Sequence, residues 1–174
     1  MSILTGKPTR VSVNGTTLNT QIDGAEGAPW MVFCNPLAAN LSLWDRQVAD
    51  FGGRFRTLRY DQRGHGASAV PPDNKTDFEE LSGDLVELLD HYDIDKAVLV
   101  GVSMGATTVM RFAARFPYRC RAVVACDGQW RAAPGSQAAL RERMETAANQ
   151  CMLPLAEPTA RRWFLPGFYE KNPD

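Results

Sequence analysis

The chain has 174 residues, of which 44% are apolar and 22% are charged, a balance typical of a domain with a buried core. This composition excludes intrinsic disorder, collagen and coiled coil. The 19 Lys and Arg residues nearly balance the 20 Asp and Glu residues, and no long block of like charges occurs, so we expect no nucleic-acid partner.

The sequence contains neither an export signal nor a membrane span. Residues 1–7 lack the charged start and the apolar run that a signal peptide needs. The longest stretch with a buried pattern, Ala97–Val102, is far shorter than the ~20 residues that cross a bilayer. These features predict a cytoplasmic protein without a membrane partner.

The cysteines lack the CxxC spacing of zinc sites, and at least three of the four occur in or beside apolar segments. This placement predicts small, reduced core residues rather than a disulfide framework or a metal site. The cysteines are Cys34, Cys120, Cys126 and Cys151.

The N-terminal segment has the pattern of an antiparallel hairpin. Apolar and polar residues alternate in Arg10–Val13 and again in Thr16–Ile22. The dipeptide Asn14-Gly15 between them is the strongest two-residue hairpin signal. We therefore predict that this hairpin adds an antiparallel edge to a sheet.

Four later segments have the pattern of strands buried on both faces, which is typical of the interior of a sheet, and this pattern is weaker in Arg56–Tyr60 than in the others. They are Trp30–Cys34, Arg56–Tyr60, Ala97–Val100 and Ala122–Cys126. Helical patterns fall between these strands, at Leu43–Phe51, Phe78–Tyr92 and Ala106–Phe116. This alternation with short connections predicts right-handed crossovers, and hence a mostly parallel sheet with helices on both faces, the α/β class.

The pattern changes from Gly128 onward. Gln137–Met152 predicts an amphipathic helix, and the segment after it contains four prolines and no further strand that is apolar on both faces. The final segment therefore differs in organisation from the strand–helix units before it.

The segment Gly101–Gly105, with the sequence Gly-Val-Ser-Met-Gly, follows the strongest strand and precedes a helix. In this context it is typical of a nucleophile elbow, in which Ser103 stands at a sharp turn and its flanking glycines avoid a collision. The nearby helix N-terminus favours a developing negative charge. The alternatives are a glycine-rich turn with an N-capping serine, and a phosphate-binding loop, whose glycine motifs are absent.

A nucleophile of this type needs two backbone N–H groups that bind the oxyanion. In an elbow one of them is the amide after the serine, here Met104, and the other comes from the loop after the third strand. That loop is Asn35–Asn40, and because Pro36 has no N–H we assign the donor to Leu37 first and to Ala38 second. The alternative is that this loop is a plain connector.

Five segments resemble, in content and order, the α/β-hydrolase superfamily, and within it the 3-oxoadipate enol-lactonases of aromatic-compound degradation. They are Asn35–Leu37, Leu43–Asp45, Leu58–Ser68, Gly101–Gly105 and Arg162–Phe168. The resemblance implies that residues 1–127 form the N-terminal part of an α/β-hydrolase core, incomplete at the C-terminus. It also implies that residues 128–174 form the start of a helical cap, or lid.

The resemblance also implies a triad in the order serine, acid, histidine. No histidine follows His91, which we interpret as a surface residue near a helix C-terminus, and His65 lies in a turn that is structural in the family. Asp127, directly after a strand, is either the acid or the start of the turn into the cap. We therefore expect the chain to be part of a longer hydrolase, with a missing C-terminal segment or a second copy as partner.

The function implied for the complete protein is hydrolysis of an activated ester or lactone, most specifically 3-oxoadipate enol-lactone. Ser103 would attack the carbonyl, and the Leu37 and Met104 amides would hold the oxyanion. A dicarboxylic small-molecule substrate needs a cation, for which we consider Trp130 with Arg131, and then Arg162. We expect Arg161 to lie on a solvated face. No metal or organic cofactor is implied.

Other functions remain as alternatives. A general carboxylesterase and a carbon–carbon bond hydrolase use the same elbow. A catalytically incomplete fragment or a ligand-binding protein is the alternative of another class, because the chain supplies no base for the triad. Epoxide hydrolases and dehalogenases are disfavoured, since they need a carboxylate at the position of Ser103.

Overall fold

The computed structural model describes residues 6–72, 76–131 and 134–172. The chain forms two compact units, Met1–Trp130 and Arg131–Asp174. The first unit holds a six-stranded sheet flanked by helices. Within the described residues, the second unit consists of helices and their connections.

The predicted N-terminal hairpin is present. It consists of β1 (Thr9–Val13) and β2 (Thr16–Gly24), with Val13 opposite Thr16. Asn14 and Gly15 have φ values of 45° and 69°, the positive values that a type I′ turn requires at both central positions. The alternating sequence and the turn dipeptide therefore act together to set the register of this hairpin.

The next four strands are parallel to one another. They are β3 (Trp30–Cys34), β4 (Arg56–Tyr60), β5 (Ala97–Val102) and β6 (Cys120–Cys126). The sheet order is β1-β2-β4-β3-β5-β6, and β2 pairs with β4 in antiparallel orientation. The predicted mostly parallel sheet with an antiparallel hairpin at one edge is therefore confirmed.

Helices cover both faces of this sheet, as predicted. They are α1 (Asp45–Phe51), which leads to β4, α2 (Phe78–His91), which leads to β5, and α3 (Met104–Arg115), which leads to β6. The chain moves from β3 to one neighbour, then crosses back from β4 to the other neighbour, β5. Because right-handed crossovers in opposite directions place their helices on opposite faces, α1 lies opposite α2 and α3.

Each face of the sheet has its own apolar cluster. On the α1 side, Trp44 and Val48 pack with Phe33 and with alternate residues of β5. On the other side, side chains of α2 and α3 pack with the intervening strand residues, including Val32 and Leu99. The alternation of strand residues between the two clusters explains why these strands are apolar on both faces.

The position of β6 differs from its prediction. Its apolar sequence predicts an interior strand, whereas among the described residues it is an edge strand, with Val123 and Val124 exposed by 37% and 45%. The expectation that the cysteines are core residues is accordingly wrong for Cys126, and also for Cys151, since both are exposed. All four cysteines are free thiols, and Cys34 is fully buried.

The second unit holds α4 (Ser136–Gln150), α5 (Leu153–Trp163) and α6 (Phe168–Lys171), of which the sequence pattern predicted only the first. Pro154 lies in the first turn of α5, where a backbone N–H has no helical partner. Pro158 lies inside α5 and forgoes one intrahelical hydrogen bond. In the part of the chain that the structure describes, no helix is long and apolar enough to cross a bilayer.

The thiol of Cys34 should resist alkylation in the folded protein. Its Sγ lies 3.2 Å from Tyr60 Oη, and complete burial raises the pKa of the thiol from 9.0 to about 12. Because only the thiolate reacts, that pKa lowers the reactive fraction about a thousandfold near neutral pH, in addition to the steric protection. N-ethylmaleimide followed by peptide mass mapping should modify exposed Cys151 and spare Cys34 until denaturant is added. Equal modification rates would show that the Cys34 site is open.

Candidate active site

Ser103 occupies a sharp turn between β5 and α3, as the nucleophile-elbow pattern predicts. Its φ and ψ are 53° and −113°, a conformation that residues with a side chain rarely adopt. The Ser103 N–H donates to Cys126 O at 2.9 Å, so the turn is fastened to the end of β6. The Ser103 carbonyl accepts from Thr107 N at 3.0 Å and thereby starts the hydrogen-bond ladder of α3.

The side chain of Ser103 is partly exposed and makes no capping hydrogen bond to the helix. The interpretation of Ser103 as an N-capping serine therefore does not describe this turn. A hydroxyl that caps nothing, held by its backbone at the start of a helix, is free to face an incoming ligand.

Gly101 and Gly105 are required by close backbone contacts. A Cβ at Gly101 would lie 2.3 Å from Gly105 O, so the strand and the helix approach too closely for a side chain there. A Cβ at Gly105 would lie 2.0 Å from Cys34 O and 2.8 Å from Asn35 O. The first turn of α3 therefore lies directly against the loop that follows β3.

Glycine at position 103 should give a more stable protein than alanine there. The conformation of Ser103 costs a residue with a Cβ about 1–3 kcal/mol, and glycine avoids this cost. The larger unfolded-state entropy of glycine offsets about 0.5–1 kcal/mol of that gain. We expect the free energy of unfolding, measured with urea, to be about 1 kcal/mol higher for Ser103→Gly than for Ser103→Ala. A Ser103→Gly protein that is no more stable than Ser103→Ala would show that the turn is not strained.

The two predicted oxyanion donors lie on neighbouring segments. Leu37 belongs to the loop after β3, Met104 begins α3, and both border one cavity of about 550 Å³. Within the described ranges, neither backbone N–H donates a hydrogen bond to a protein acceptor. Ala38, the second choice of donor, has a φ of 65° and forms the bend of the loop. Two unpaired backbone amides on neighbouring segments are the kind of donor pair that can bind an oxyanion.

The sheet topology explains why these segments meet. The chain leaves β3 toward one side of the sheet and leaves β5 toward the other, and the two strands are neighbours. The loops that follow them diverge at the carboxyl edge and create a crevice, the usual ligand site of open α/β sheets. The segments of Leu37 and Ser103 both start at this edge.

The loop after β3 is held by a buried polar residue that the sequence analysis did not identify as functional. Asn35 is fully buried, its Nδ2 donates to Tyr60 O at 2.9 Å, and its Oδ1 accepts from Trp44 Nε1 at 2.7 Å. These bonds tie the loop to β4 and to the turn before α1. The proximity of Asn35 to the strand end was the available signal, but hydrogen-bond partners from distant segments are not visible in a local pattern.

The segment after β4 is tightly bonded to the rest of the first unit. The Asp61 carboxylate accepts hydrogen bonds from Leu41 N, Asn19 Nδ2 and Ala67 N at 2.7–2.9 Å. Arg63 is buried and forms an ion pair with Asp84 of α2. These bonds hold the segment in place beside the loop Asn35–Asn40.

Neither histidine is shown to act as a base for Ser103. His65 Nδ1 lies 3.0 Å from Arg63 O, within its own loop, which agrees with the structural role expected for it. His91 is exposed in the last turn of α2, with its ring 4.8 Å from that of Tyr92. Its position at a helix C-terminus agrees with the dipole interpretation.

Asp127, the candidate acid, directly follows β6 and is exposed, with a φ of 51°. The preceding residue, Cys126, accepts the hydrogen bond from Ser103 N, so Asp127 lies one residue after the bond that joins β6 to the turn of Ser103. The structure thus brings the Asp127 backbone near the turn of Ser103. Its role in catalysis stays a prediction.

The candidate substrate-binding residues fall at the end of the first unit and in the second. Trp130 ends the first unit and is 87% exposed. Arg131 begins the second unit, and Arg162 lies in α5. The pKa of Arg143 is lowered first by the burial of Arg143 itself and then by the positive charge of Arg162. Arg161 forms an exposed ion pair with Glu157 at 2.8 Å, which agrees with its expected place on a solvated face.

Known proteins share this architecture. A family model described as the alpha/beta hydrolase fold matches residues 29–151. The chain is 35% identical, over 94% of its length, to 3-oxoadipate enol-lactonase 2 of Acinetobacter baylyi and covers 60% of that protein. It is also 35% identical, over 65% of its length, to an epoxide hydrolase of Caballeronia sordidicola and covers 34% of that protein.

A solved structure agrees with these matches. The crystal structure of the enol-lactonase from Burkholderia xenovorans aligns with 95% of this chain at a TM-score of 0.87 and 38% identity, and the chain covers 63% of it. The chain thus spans about 60% of the length of the curated enol-lactonases that it matches. The sheet order, the strand–turn–helix at Ser103 and the family match agree, and the chain belongs to the α/β-hydrolase family.

Proposed function

We propose that the complete protein is a serine hydrolase of carboxylic esters or lactones, with Ser103 as its nucleophile. The observation that carries this proposal is the geometry of the elbow. A serine with φ 53° stands between a parallel strand and a helix, its hydroxyl caps nothing, and the unpaired N–H groups of Leu37 and Met104 lie on the adjoining segments. This arrangement suits attack on a carbonyl carbon and binding of the oxyanion that forms.

The substrate that we propose is an enol-lactone, specifically 3-oxoadipate enol-lactone. This substrate assignment is supported by the sequence identity of the chain with the enol-lactonases of Acinetobacter baylyi and Burkholderia xenovorans. The carboxylate of such a substrate would be recognised by a cation, for which Arg131 beside Trp130 and then Arg162 are the candidates. The proposed context is aromatic-compound degradation in the cytoplasm, with a small-molecule substrate and no nucleic-acid or membrane partner.

The proposed reaction has two steps. Ser103 Oγ attacks the ring carbonyl carbon and gives its proton to a general base, while the Leu37 and Met104 amides bind the oxyanion. The ring C–O bond then breaks, and the enolate that leaves takes up a proton and tautomerises to a ketone. Water adds to the acyl-enzyme, the ester bond to Ser103 breaks, and the acid product is released.

The general base of this reaction is proposed to be a histidine outside residues 1–174. His65 Nδ1 is bonded within its own loop and His91 lies in the last turn of α2, and among the described residues no hydrogen bond joins either ring to Ser103. Asp127 is the proposed acid, on the grounds of its place directly after β6.

A phosphonate probe tests the nucleophile. A fluorophosphonate should label the complete protein at Ser103, located by peptide mass spectrometry, and Ser103→Ala should abolish the label. The 174-residue chain alone should stay unlabelled, because the proposed base lies outside it. A complete protein that binds the substrate but is not labelled would instead be a ligand-binding protein.

A substrate panel tests the chemistry. Turnover of an enol-lactone, a p-nitrophenyl ester and a diketone separates a lactonase from a general carboxylesterase and from a carbon–carbon bond hydrolase. We expect kcat/KM to be highest for the enol-lactone. A preference for the diketone would contradict the substrate assignment and leave the serine nucleophile intact.

A further inference from the structure

We propose that Gln62 is a positioning residue that sets the separation between the two oxyanion donors. This inference rests on the proposed function and extends it to a side chain that touches no reacting atom. Gln62 follows β4 by two residues and is fully buried. Its side-chain amide joins the loop that carries Leu37 to the helix that begins at Met104.

The first link runs from Gln62 to the loop after β3. Gln62 Nε2 donates to Asn35 O at 2.6 Å. That carbonyl belongs to the peptide group preceding Pro36, whose ring fixes the backbone φ angle before Leu37. A bond that holds this peptide group therefore restricts where the Leu37 N–H points.

The second link runs from Gln62 to the first turn of α3. Gln62 Oε1 accepts from Thr108 Oγ1 at 3.3 Å, and the same hydroxyl donates to Met104 O at 3.0 Å. A hydroxyl has one hydrogen, so the two acceptors share it. Through Thr108 the Gln62 side chain is attached to the turn whose first amide is Met104 N–H.

The chemistry of this bridge requires a primary amide. One end must donate to a carbonyl and the other must accept from a hydroxyl, which a carboxylate or an apolar side chain cannot do together. Gln62, Asn35 and Thr108 are all fully buried, so bulk water does not replace a lost bond. The bridge is therefore specific to glutamine or to a group with the same donor and acceptor pattern.

Loss of this bridge should change catalysis more than folding. Asn35 keeps its side-chain bonds to Tyr60 and Trp44, and the Gly105 backbone contact with Cys34 remains. The loop and the helix would therefore stay folded, while the distance between them is no longer fixed. A shift of about 1 Å in an oxyanion donor costs on the order of a hundredfold in rate.

The test compares Gln62→Met with a matched control in the complete protein. Gln62→Met should lower kcat by about 10–100-fold and change KM by less than about threefold, since the oxyanion exists only in the transition state. Affinity for a trifluoromethyl ketone, which forms an oxyanion on Ser103, should fall by the same factor as kcat/KM. The control Thr57→Val removes a buried hydroxyl, bonded to Asp23 O at 3.4 Å, at the far end of β4, and should leave kcat unchanged.

The pH dependence of kcat in Gln62→Glu is a second measurement, and a purely structural role of Gln62 would not change it. A buried carboxyl keeps its proton to higher pH than an exposed one, and only the protonated form donates to Asn35 O. The kcat of Gln62→Glu relative to wild type should therefore rise as the pH falls from about 8 to about 5. Should Gln62→Met resemble Thr57→Val in kcat, or should that ratio stay flat with pH, the inference is wrong. If wild type itself is not labelled at Ser103, the proposed function fails, and this inference fails with it.

Discussion

Replacing Ser103 by alanine in the complete protein should lower kcat by at least about 10⁴-fold. The substitution removes the oxygen that would form the acyl-enzyme and leaves the Leu37 and Met104 amides in place. Any residual turnover would come from binding and oxyanion stabilisation alone, which is why we do not expect rates as low as the uncatalysed reaction. Steady-state kinetics on the enol-lactone and on a p-nitrophenyl ester measure the effect.

The Ser103→Ala protein should fold as well as wild type. The hydroxyl makes no capping bond, and both residues carry a Cβ in the same strained turn, so the free energy of unfolding should change by less than about 0.5 kcal/mol. This stability, measured by urea unfolding, is the control for the kinetic result. Turnover at the wild-type rate by a folded Ser103→Ala protein would exclude Ser103 as the nucleophile.

Gly105→Ala should lower the free energy of unfolding by about 3 kcal/mol or more. The new methyl group would lie 2.0 Å from Cys34 O, a backbone atom of β3 that cannot move without disturbing the centre of the sheet. To fit it, the start of α3 must retreat from the loop after β3. In protein that still folds, we expect kcat to fall by on the order of a hundredfold, because the Met104 amide retreats with the helix.

Urea unfolding of Gly105→Ala and of a matched variant tests this expectation. Gly53 provides the control, because a Cβ there meets nothing within 4 Å. Gly53→Ala should change the free energy of unfolding by less than about 0.5 kcal/mol. Equal stabilities of the two variants would mean that α3 does not approach β3 as closely as the structure indicates.

The Gly105 contact and the Gln62 bridge both act on the distance between the first turn of α3 and the loop after β3. Gly105 lets α3 approach the loop after β3, and Gln62 bonds the two segments once they are close. Asn35 then fixes the loop to β4 through Tyr60 O. The candidate oxyanion site is thus supported by backbone contact from one side and by buried hydrogen bonds from the other, which is how a preorganised site avoids reorganisation during a reaction.

Local sequence was sufficient for most elements of the first unit. The hairpin followed from Asn14-Gly15 between alternating segments. Helix α2 matches the predicted helical segment Phe78–Tyr92, and the structure begins it with a capping box of Asp77 and Glu80. The elbow followed from a glycine-flanked serine between a strand and a helix. Each of these features depends on residues within one or two turns of each other, and short-range patterns record such dependence directly.

Other features depended on contacts between distant segments. The placement of β6 at an edge and the exposure of Cys126 could not follow from an apolar pattern, which is the same for a covered and an uncovered strand. Helix α5 forms despite two prolines, because one lies in the first turn and the other costs a single hydrogen bond.

The sequence alone determined the order of strands and helices in the first unit, the turn at Ser103 and the superfamily resemblance. Only the tertiary structure decided that β3 and β5 are neighbours, and that Asn35, Gln62 and Thr108 form one buried link between their loops. The physical reason is the separation along the chain between the residues that set each feature. A turn or a cap is set by neighbouring residues, whereas the partner of a buried amide is set by how the whole sheet brings separate segments together.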